Sequence, residues 1–407
     1  MKLHISLCLL SHKLLNYNIY NIIGFFRRRY ALKFSIDASG INLYKGSGIG
    51  TYTENLLREL LNIDTKNKYS IFWAGDNYEN YKKENSKIIF TSKKHGTFYE
   101  NYYYPNYIEE NAIDLHHIPQ NGIGLNKLYT SPVIVTIHDL IPYILPETVG
   151  RGYLERFLTD MPLIINNSKA ILTVSEYSKK DILKFFPSVN ESKIFVTPLA
   201  ANSSYKPIDK NFCTEFIKNK YNIDFPFILY IGGFSTRKNV KELIFAFNKI
   251  NKSLKKDYKL VLCGSIRDEG IKLQNLCKEL LIDNKVIFTG FVADEDLPLF
   301  YNATDLFVYP SLYEGFGLPP LEAMSCSTPV ITSNLTSIPE VTGDCAVLIN
   351  PFNKDELAEA LINLLNCPDL LKEYGKKGYK RSLDFTWKNT ATLTLNAYET
   401  VLQNKDN

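Results

Sequence analysis

The stretch Tyr309–Glu340 reads YPSLYEGFGLPPLEAMSCSTPVITSNLTSIPE. Its centre, EGFGLPPLE from Glu314 to Glu322, is poor in ordinary side chains and rich in bare backbone. Gly315 and Gly317 let the main chain come close to a ligand. Pro319 and Pro320 carry no N–H and preset a helical φ, so a helix is predicted to start there. The amides of Gly315, Phe316, Gly317 and Leu318 are then left without intrahelical partners, at the helix end that favours an anion. Glu314 and Glu322 bracket this nest. Amides suit phosphate and carboxylates suit hydroxyls, so the pattern points to a ligand carrying both, such as a nucleotide sugar.

Outward from this segment, short apolar runs alternate with amphipathic ones. In the second half strands are predicted at Phe227–Ile231, Lys259–Cys263, Val286–Thr289, Leu306–Tyr309 and Val330–Thr332. Helices are predicted at Val240–Ile250, Ile271–Leu281, Asp355–Asn366 and Pro368–Arg381, with a last one after Trp387. In the first half, strands are predicted at Lys33–Asp37, Tyr69–Trp73, Asp114–Ile118, Val133–His138, Ala170–Val174 and Ile194–Thr197. Helices fit at Thr51–Leu61, Tyr153–Ile165 and Lys179–Phe186. This βαβ rhythm implies parallel sheets covered on both faces. The polar segment PLAANSSYKPIDKN after Thr197 suits an interdomain linker. The expected fold is α/β, with two Rossmann-like doubly wound domains facing each other. The ligand belongs at the carboxyl ends of the strands, in the cleft between them.

The boundaries follow: residues 1–32 form an N-terminal extension of open role, and 33–200 the first Rossmann-like domain. Residues 201–386 form the second, nucleotide-sugar-binding domain, and 387–407 a C-terminal helix that could pack back on the first. A length of 407 residues and 45% hydrophobic content suit two ordinary globular domains. No apolar run reaches the roughly 18–20 residues of a membrane span. The seven scattered cysteines, with no CxxC pair, read as a reduced, cytoplasmic protein without structural zinc. Residues 1–200 hold 23 Lys/Arg against 18 Asp/Glu, the rest 24 against 25. That mildly basic first half fits peripheral contact with an anionic membrane face as well as ordinary surface charge, and is too weak for nucleic acid. The stretch IIGFFRRRY, with Arg27, Arg28 and Arg29, could lie on head groups. MKLHISLCLLSHKLL is a poor signal peptide, since His12 and Lys13 interrupt it early.

A second motif, YIGGFSTRKNVKELIFAF, opens the second domain at Tyr230. Arg237 and Lys238 stand between a strand's carboxyl end and a helix's amino end. Cations have the wrong sign for a helix N-terminus, so they call for an anionic partner, and two of them can clamp a diphosphate. In the first domain, KGSGIGTY places Gly48 and Gly50 where backbone amides can approach a phosphate, although such a turn alone is a weak signal. His138 ends the apolar strand VIVTIH and so faces the cleft; His116 and His117 end another strand and carry less weight. Asp294-Glu295-Asp296 spells DxD, but it precedes LPLFYNATD. Asp294 is therefore expected as a helix N-cap rather than as a metal ligand.

Taken together, YIGGFSTRKN and EGFGLPPLE resemble the signature segments of the retaining glycosyltransferases of family 4, which have the two-domain GT-B fold. FVADEDLPLFYNATDLFVYPS at Phe291–Ser311, IDASGINLYKGSGIGTYTENLL at Ile36–Leu57, TIHDL at Thr136–Leu140 and TVSEYSKKDI at Thr173–Ile182 extend the resemblance over roughly residues 33–403. The resemblance implies transfer of a hexose from a nucleotide-diphosphate sugar to a glycan acceptor, with the anomeric configuration kept. It implies that Arg237 and Lys238 meet the donor diphosphate. Glu314 then sits by the donor sugar and the reacting centre, and Glu322 holds the ribose hydroxyls. His138 contacts the donor sugar or the acceptor. Likeness to O-antigen and polysaccharide mannosyltransferases favours GDP-mannose, with UDP- and dTDP-hexoses open, a lipid-linked acceptor and no essential metal. A sugar-nucleotide epimerase of the same fold and a non-catalytic sugar-nucleotide-binding member are the alternatives. A nicotinamide dehydrogenase is disfavoured, because neither first βα turn carries GxGxxG with a following acid at the expected interval.

Overall fold

The computed structural model describes residues 31–403. The expectations placed on IIGFFRRRY and nearly all of the N-terminal extension lie outside the described residues. Thirteen strands form two sheets. The first contains β1 (Lys33–Asp37), β2 (Lys68–Ala74), β3 (Ser86–Thr91), β4 (Leu115–Ile118), β5 (Val133–Ile137), β6 (Ala170–Thr173) and β7 (Ile194–Val196). Its order is β3-β2-β1-β4-β5-β6-β7. The second contains β8 (Phe227–Ile231), β9 (Lys259–Cys263), β10 (Val286–Gly290), β11 (Leu306–Tyr309), β12 (Val330–Ser333) and β13 (Val347–Ile349). Its order is β10-β9-β8-β11-β12-β13, and every pairing in both sheets is parallel. Central strands such as VIVTI and FILYI are buried at every position. Helices cover both faces, so these strands read as continuous apolar runs rather than alternating ones.

The helices that line or support the cleft are α1 (Gly48–Ile63), α2 (Glu176–Phe185), α3 (Val240–Ile250), α4 (Leu297–Ala303), α5 (Leu318–Ser325) and α6 (Trp387–Gln403), of which α1, α4 and α5 reach its lining. α5 starts at Leu318, just before the two prolines, after Gly317 in a left-handed conformation (φ 108°). That position favours glycine for conformation and for space, since an added Cβ would lie 2.8 Å from Ile338 Cδ1.

α6 leaves the second domain and packs on the first. Its Tyr398 ring meets Phe34 at 5.1 Å, and its Tyr398 hydroxyl pairs with His117 Nδ1 at 2.7 Å. Thr390 Oγ1 donates to the Pro198 carbonyl at 2.6 Å. The apolar core of the first domain therefore includes Trp387, Ala391, Ala397 and Val401 beside Tyr52, Leu56 and Leu60.

Four local expectations are corrected. β3 and β13 are missing from the sequence reading because both are half-exposed edge strands with little apolar periodicity. α1 begins at Gly48 rather than Thr51, because Ser47 takes an extended conformation and its side chain accepts from Gly50 N, as an N-cap does. The residue before α4 is Asp296, not Asp294. Its Oδ2 accepts from Lys220 Nζ at 2.6 Å and Tyr221 Oη at 2.5 Å instead of capping the helix. His116 and His117 are wholly buried in the first core rather than turned to the cleft. His117 Nε2 bonds Thr136 Oγ1 at 2.8 Å, and burial pushes both imidazoles down to about 3.

Candidate active site

β8 and β11 are neighbours in the second sheet but not in sequence. Chain segments leaving their carboxyl ends diverge, and a crevice opens at such a reversal. The segment after β8 carries Arg237 and Lys238 in the tight turn Thr236–Lys238, and the segment after β11 carries Glu314. The two are stitched together: Leu312 N donates to the Arg237 carbonyl at 2.8 Å, and Arg237 Nη1 donates to the Tyr313 carbonyl at 2.7 Å.

Glu314 Oε1 collects Arg237 Nη1 at 2.8 Å, Lys238 Nζ at 2.7 Å, Ser311 Oγ at 2.5 Å and Tyr309 Oη at 3.1 Å. Lys238 Nζ also meets the Tyr309 hydroxyl and lies over that ring, 4.9 Å from its centroid. Tyr309 in turn stacks on Tyr230 at 5.9 Å. Burial alone would raise the Glu314 carboxyl; Lys238 and Arg237 reverse this and hold it down at about 2. Burial lowers Lys238 despite Glu314, whereas Glu314 overrides burial at Arg237 and raises it. The anionic partner that the two cations require within the chain is thus Glu314. Among the described residues, the amides of Gly315, Phe316, Gly317 and Leu318 donate to no protein acceptor.

Glu322, on α5, has a different environment. It is 9% exposed, and its Oε2 accepts from Tyr301 Oη at 3.1 Å. Burial pushes its carboxyl up to about 8, with the Asp294 charge adding to the rise.

The first domain faces this wall with His138 and Asp139, just past β5. His138 N donates to Asn121 Oδ1 at 2.9 Å, and the ring stands edge-on to Tyr52 at 4.8 Å. His138 Nε2 lies 2.9 Å from the Pro119 carbonyl, which only accepts, so Nε2 carries the proton and Nδ1 the lone pair. Burial lowers this imidazole to about 4, so it is neutral at physiological pH. Backbones of the two domains meet here: a Cβ on Gly315 would lie 2.4 Å from the His138 carbonyl oxygen.

A cleft of about 460 Å³ brings together Gly48, His138, Arg237, Lys238, Glu314, Glu322 and the Gly315–Leu318 backbone. A second hollow of about 560 Å³ adjoins it beyond Gly232 and Asp294, reaching Arg267 and Phe291. Gly50 is not part of the cleft lining. Its amide serves the Ser47 cap, and its missing Cβ lets the backbone pass the Tyr44 carbonyl, which an added Cβ would meet at 2.3 Å. The cleft also takes Asp139, Tyr309, Asn202, Tyr205 and Asp294, which sequence reasoning missed. Asp139 follows His138 at the end of a strand, and that position was the available signal. Asn202 and Tyr205 lay in what read as a plain linker.

Residues 214–381 match the family described as glycosyl transferases group 1. O-antigen chain mannosyltransferase B of Escherichia coli is 34% identical over 270 residues, 65% of this chain and 70% of the relative. The chain belongs to the group 1 glycosyl transferases. The serotype-specific mannosyltransferase WbdA of E. coli is 30% identical over 276 residues, 66% of this chain but only 34% of that relative, so this glycosyl transferase spans about a third of WbdA. Among solved structures, sucrose-phosphate synthase from Thermosynechococcus elongatus superposes with a TM-score of 0.70 at 21% identity, covering 91% of this chain and 98% of that one. Anabaena Alr3699/HepE in complex with UDP and glucose gives 0.69 at 16% identity, over 90% and 99%. The fold of this glycosyl transferase is GT-B, two parallel-sheet α/β domains across a cleft.

Proposed function

We propose that this glycosyl transferase moves mannose from GDP-mannose onto a hydroxyl of a growing surface-polysaccharide glycan carried on a membrane lipid. The anomeric configuration is kept and no metal is needed. The observation that carries the reading is the convergence of Arg237 and Lys238 on Glu314 at the topological switch point, beside four amides that donate to no acceptor among the described residues. That is a preorganised anion site. The mannosyltransferase names of the relatives at 30–34% identity support the sugar and the glycan acceptor.

In this reading the donor diphosphate lies against Arg237, Lys238 and the Gly315–Leu318 amides, and the Gly48 amide approaches from the opposite domain. Glu322 takes the ribose hydroxyls, and the base enters the hollow beyond Gly232. The bond from the anomeric carbon to the phosphate oxygen breaks, and the bond to the acceptor oxygen forms on the same face. The acceptor proton passes to the leaving phosphate oxygen, and nucleoside diphosphate departs. Two cations and the amides meet the charge developing on that leaving group. Glu314 Oε2, which has no partner among the described residues, contacts the sugar hydroxyls and stabilises cation character at the anomeric carbon; neutral His138 contacts the sugar from across the cleft. Membrane contact would be peripheral: among the described residues no helix is long and apolar enough to cross a membrane.

The test is a panel of GDP-, UDP- and dTDP-linked hexoses with a lipid-linked glycan acceptor, with and without EDTA. GDP-mannose should be the best donor, and EDTA should change turnover by less than about twofold, because Arg237 and Lys238 supply the charge a metal otherwise would. Abolition by EDTA overturns the metal-free reading. Release of a free isomerised sugar without acceptor would indicate an epimerase.

A further inference from the structure

Glu340 lies in the short helix Ile338–Thr342 of the second domain, yet its carboxylate is spent on the first. Oε2 accepts from Glu176 N at 2.9 Å and Oε1 from Tyr177 N at 2.7 Å. These are the first two amides of α2, and such amides have no intrahelical acceptor. The helix dipole adds to the attraction. Glu340 is itself anchored, because Arg381 Nη2 donates to its carbonyl at 2.7 Å and Arg381 Nε to the Val341 carbonyl at 3.1 Å.

The same end of α2 grips the Glu314 turn. Ser175 Oγ, the N-cap, and Ser178 Oγ both donate to the Gly315 carbonyl, at 2.7 and 3.0 Å. Tyr313 Oη donates to Asp181 Oδ2 at 2.6 Å. From its own domain the turn is held by Ser337 Oγ, which reaches the Glu314 carbonyl at 2.8 Å and the Phe316 carbonyl at 2.9 Å. The turn bearing Glu314 is therefore clamped between α2 and the segment that ends in Glu340. The second sheet has its own buried core, and one face of the first sheet has another, while the core on the other face of the first sheet runs on into Phe316, Leu321 and Val341 of the second domain.

We propose that Glu340 is a positioning residue: by seizing the N-terminus of α2 across the cleft, it sets the domain approach at which the Glu314 turn abuts His138 and Asp139. The latch joins backbone on one side to a single side chain on the other, so it can open without unfolding either domain. It is also specific in direction, because only one register of the domains brings both carboxylate oxygens onto both amides.

The test uses the full chain and three variants: Glu340→Ala, Glu340→Gln and Glu176→Pro. Glu176 is the first residue of α2, where proline is well accommodated, so Glu176→Pro deletes one N–H of the latch and keeps the helix. The readouts are kcat and KM for transfer, binding of GDP, UDP and dTDP alone, melting temperature, and interdomain distance from a dye pair or small-angle scattering. Glu340→Ala should lower kcat on the order of 10–100-fold, the scale of a misplacement of about 1 Å at a reacting centre. Glu176→Pro should lower it several-fold and Glu340→Gln by an intermediate amount. All three should widen the interdomain distance and leave nucleotide binding within about threefold. Parental kcat or an unchanged interdomain distance in Glu340→Ala and Glu176→Pro overturns the proposal. Melting temperature, nucleotide binding and kcat falling together overturns it too, since that pattern means a scaffolding role. The kinetic arm rests on the glycosyl-transfer reading and the distance arm does not: a parent chain that transfers no sugar sinks that reading while the dye pair still judges the latch.

Discussion

Glu314 and Glu322 stand at the two ends of one motif, both enclosed, and they differ in charge state. Burial pushes both carboxyls up. At Glu314 it is overcome by Lys238 and Arg237, leaving a carboxyl at about 2; at Glu322 only tyrosine hydroxyls and the like charge of Asp294 are at hand, leaving it at about 8. The same residue type in the same motif is thus a fixed anion in one place and a neutral acid in the other. Identity in sequence says little about charge; the neighbours delivered by β8 and β11 decide it.

The strongest attempt to break this contrast is Glu314→Gln. It removes the anion at the reacting centre while leaving the shape, and kcat should fall by about 10²–10³, the range for loss of one preorganised electrostatic contact. Nucleoside diphosphate should bind at least as tightly, because Arg237 and Lys238 lose their internal competitor. A turnover within a few-fold of the parent would refute the role of Glu314. Lys238→Ala comes next, with an expected loss in donor kcat/KM of about 10²-fold, measured by nucleotide release. Gly315→Ala attacks the geometry rather than the charge. Its Cβ would sit 2.4 Å from the His138 carbonyl oxygen, so the domains must separate, and kcat should drop about tenfold with little change in nucleotide binding.

The mildest probe sharpens the other half of the contrast. Glu322 is protonated in the fold up to about pH 8 but loses its proton near pH 4.5 when unfolded. Between those values the folded chain binds the extra proton, so Glu322 makes stability decline as pH rises from about 4.5 to about 8, with the full loss present above that. Glu322→Gln should remove this slope. Its melting temperature should gain on the parent's as pH climbs from about 4.5 to about 8 and keep that margin above, and above pH 8 nucleotide binding should weaken about tenfold as the ribose hydroxyls lose a charged acceptor. Parallel melting curves for the two proteins across pH 5–9 would show that the Glu322 carboxyl is not raised.

Much of this was legible in the chain. The parallel sheets follow from buried strands such as FILYI, and Arg237 and Lys238 stood out because they violate helix-end electrostatics. Other features depended on three-dimensional context. The partner of those cations could not be read, because Glu314 reaches Arg237 only through the adjacency of β8 and β11. Gly50 looked like a phosphate-binding glycine and is a packing glycine; telling them apart needs the Tyr44 carbonyl, which no spacing reveals. His117 and His138 both end apolar strands, but His117 is covered by α6, contributed from the far end of the chain. Asp139 was hidden beside its more conspicuous neighbour.

Because α6 returns to the first domain, the polypeptide crosses between the domains twice, once near Pro198 and again before Trp387. A body tied at one point can swivel freely. A body tied at two, like a door on a pair of hinges, keeps one axis of swing. The two crossings therefore narrow the ways the halves can part, so that each reopening brings the same faces back together. The last helix is thus also a second tether between the domains, and trimming it would cost the first domain part of its core as well.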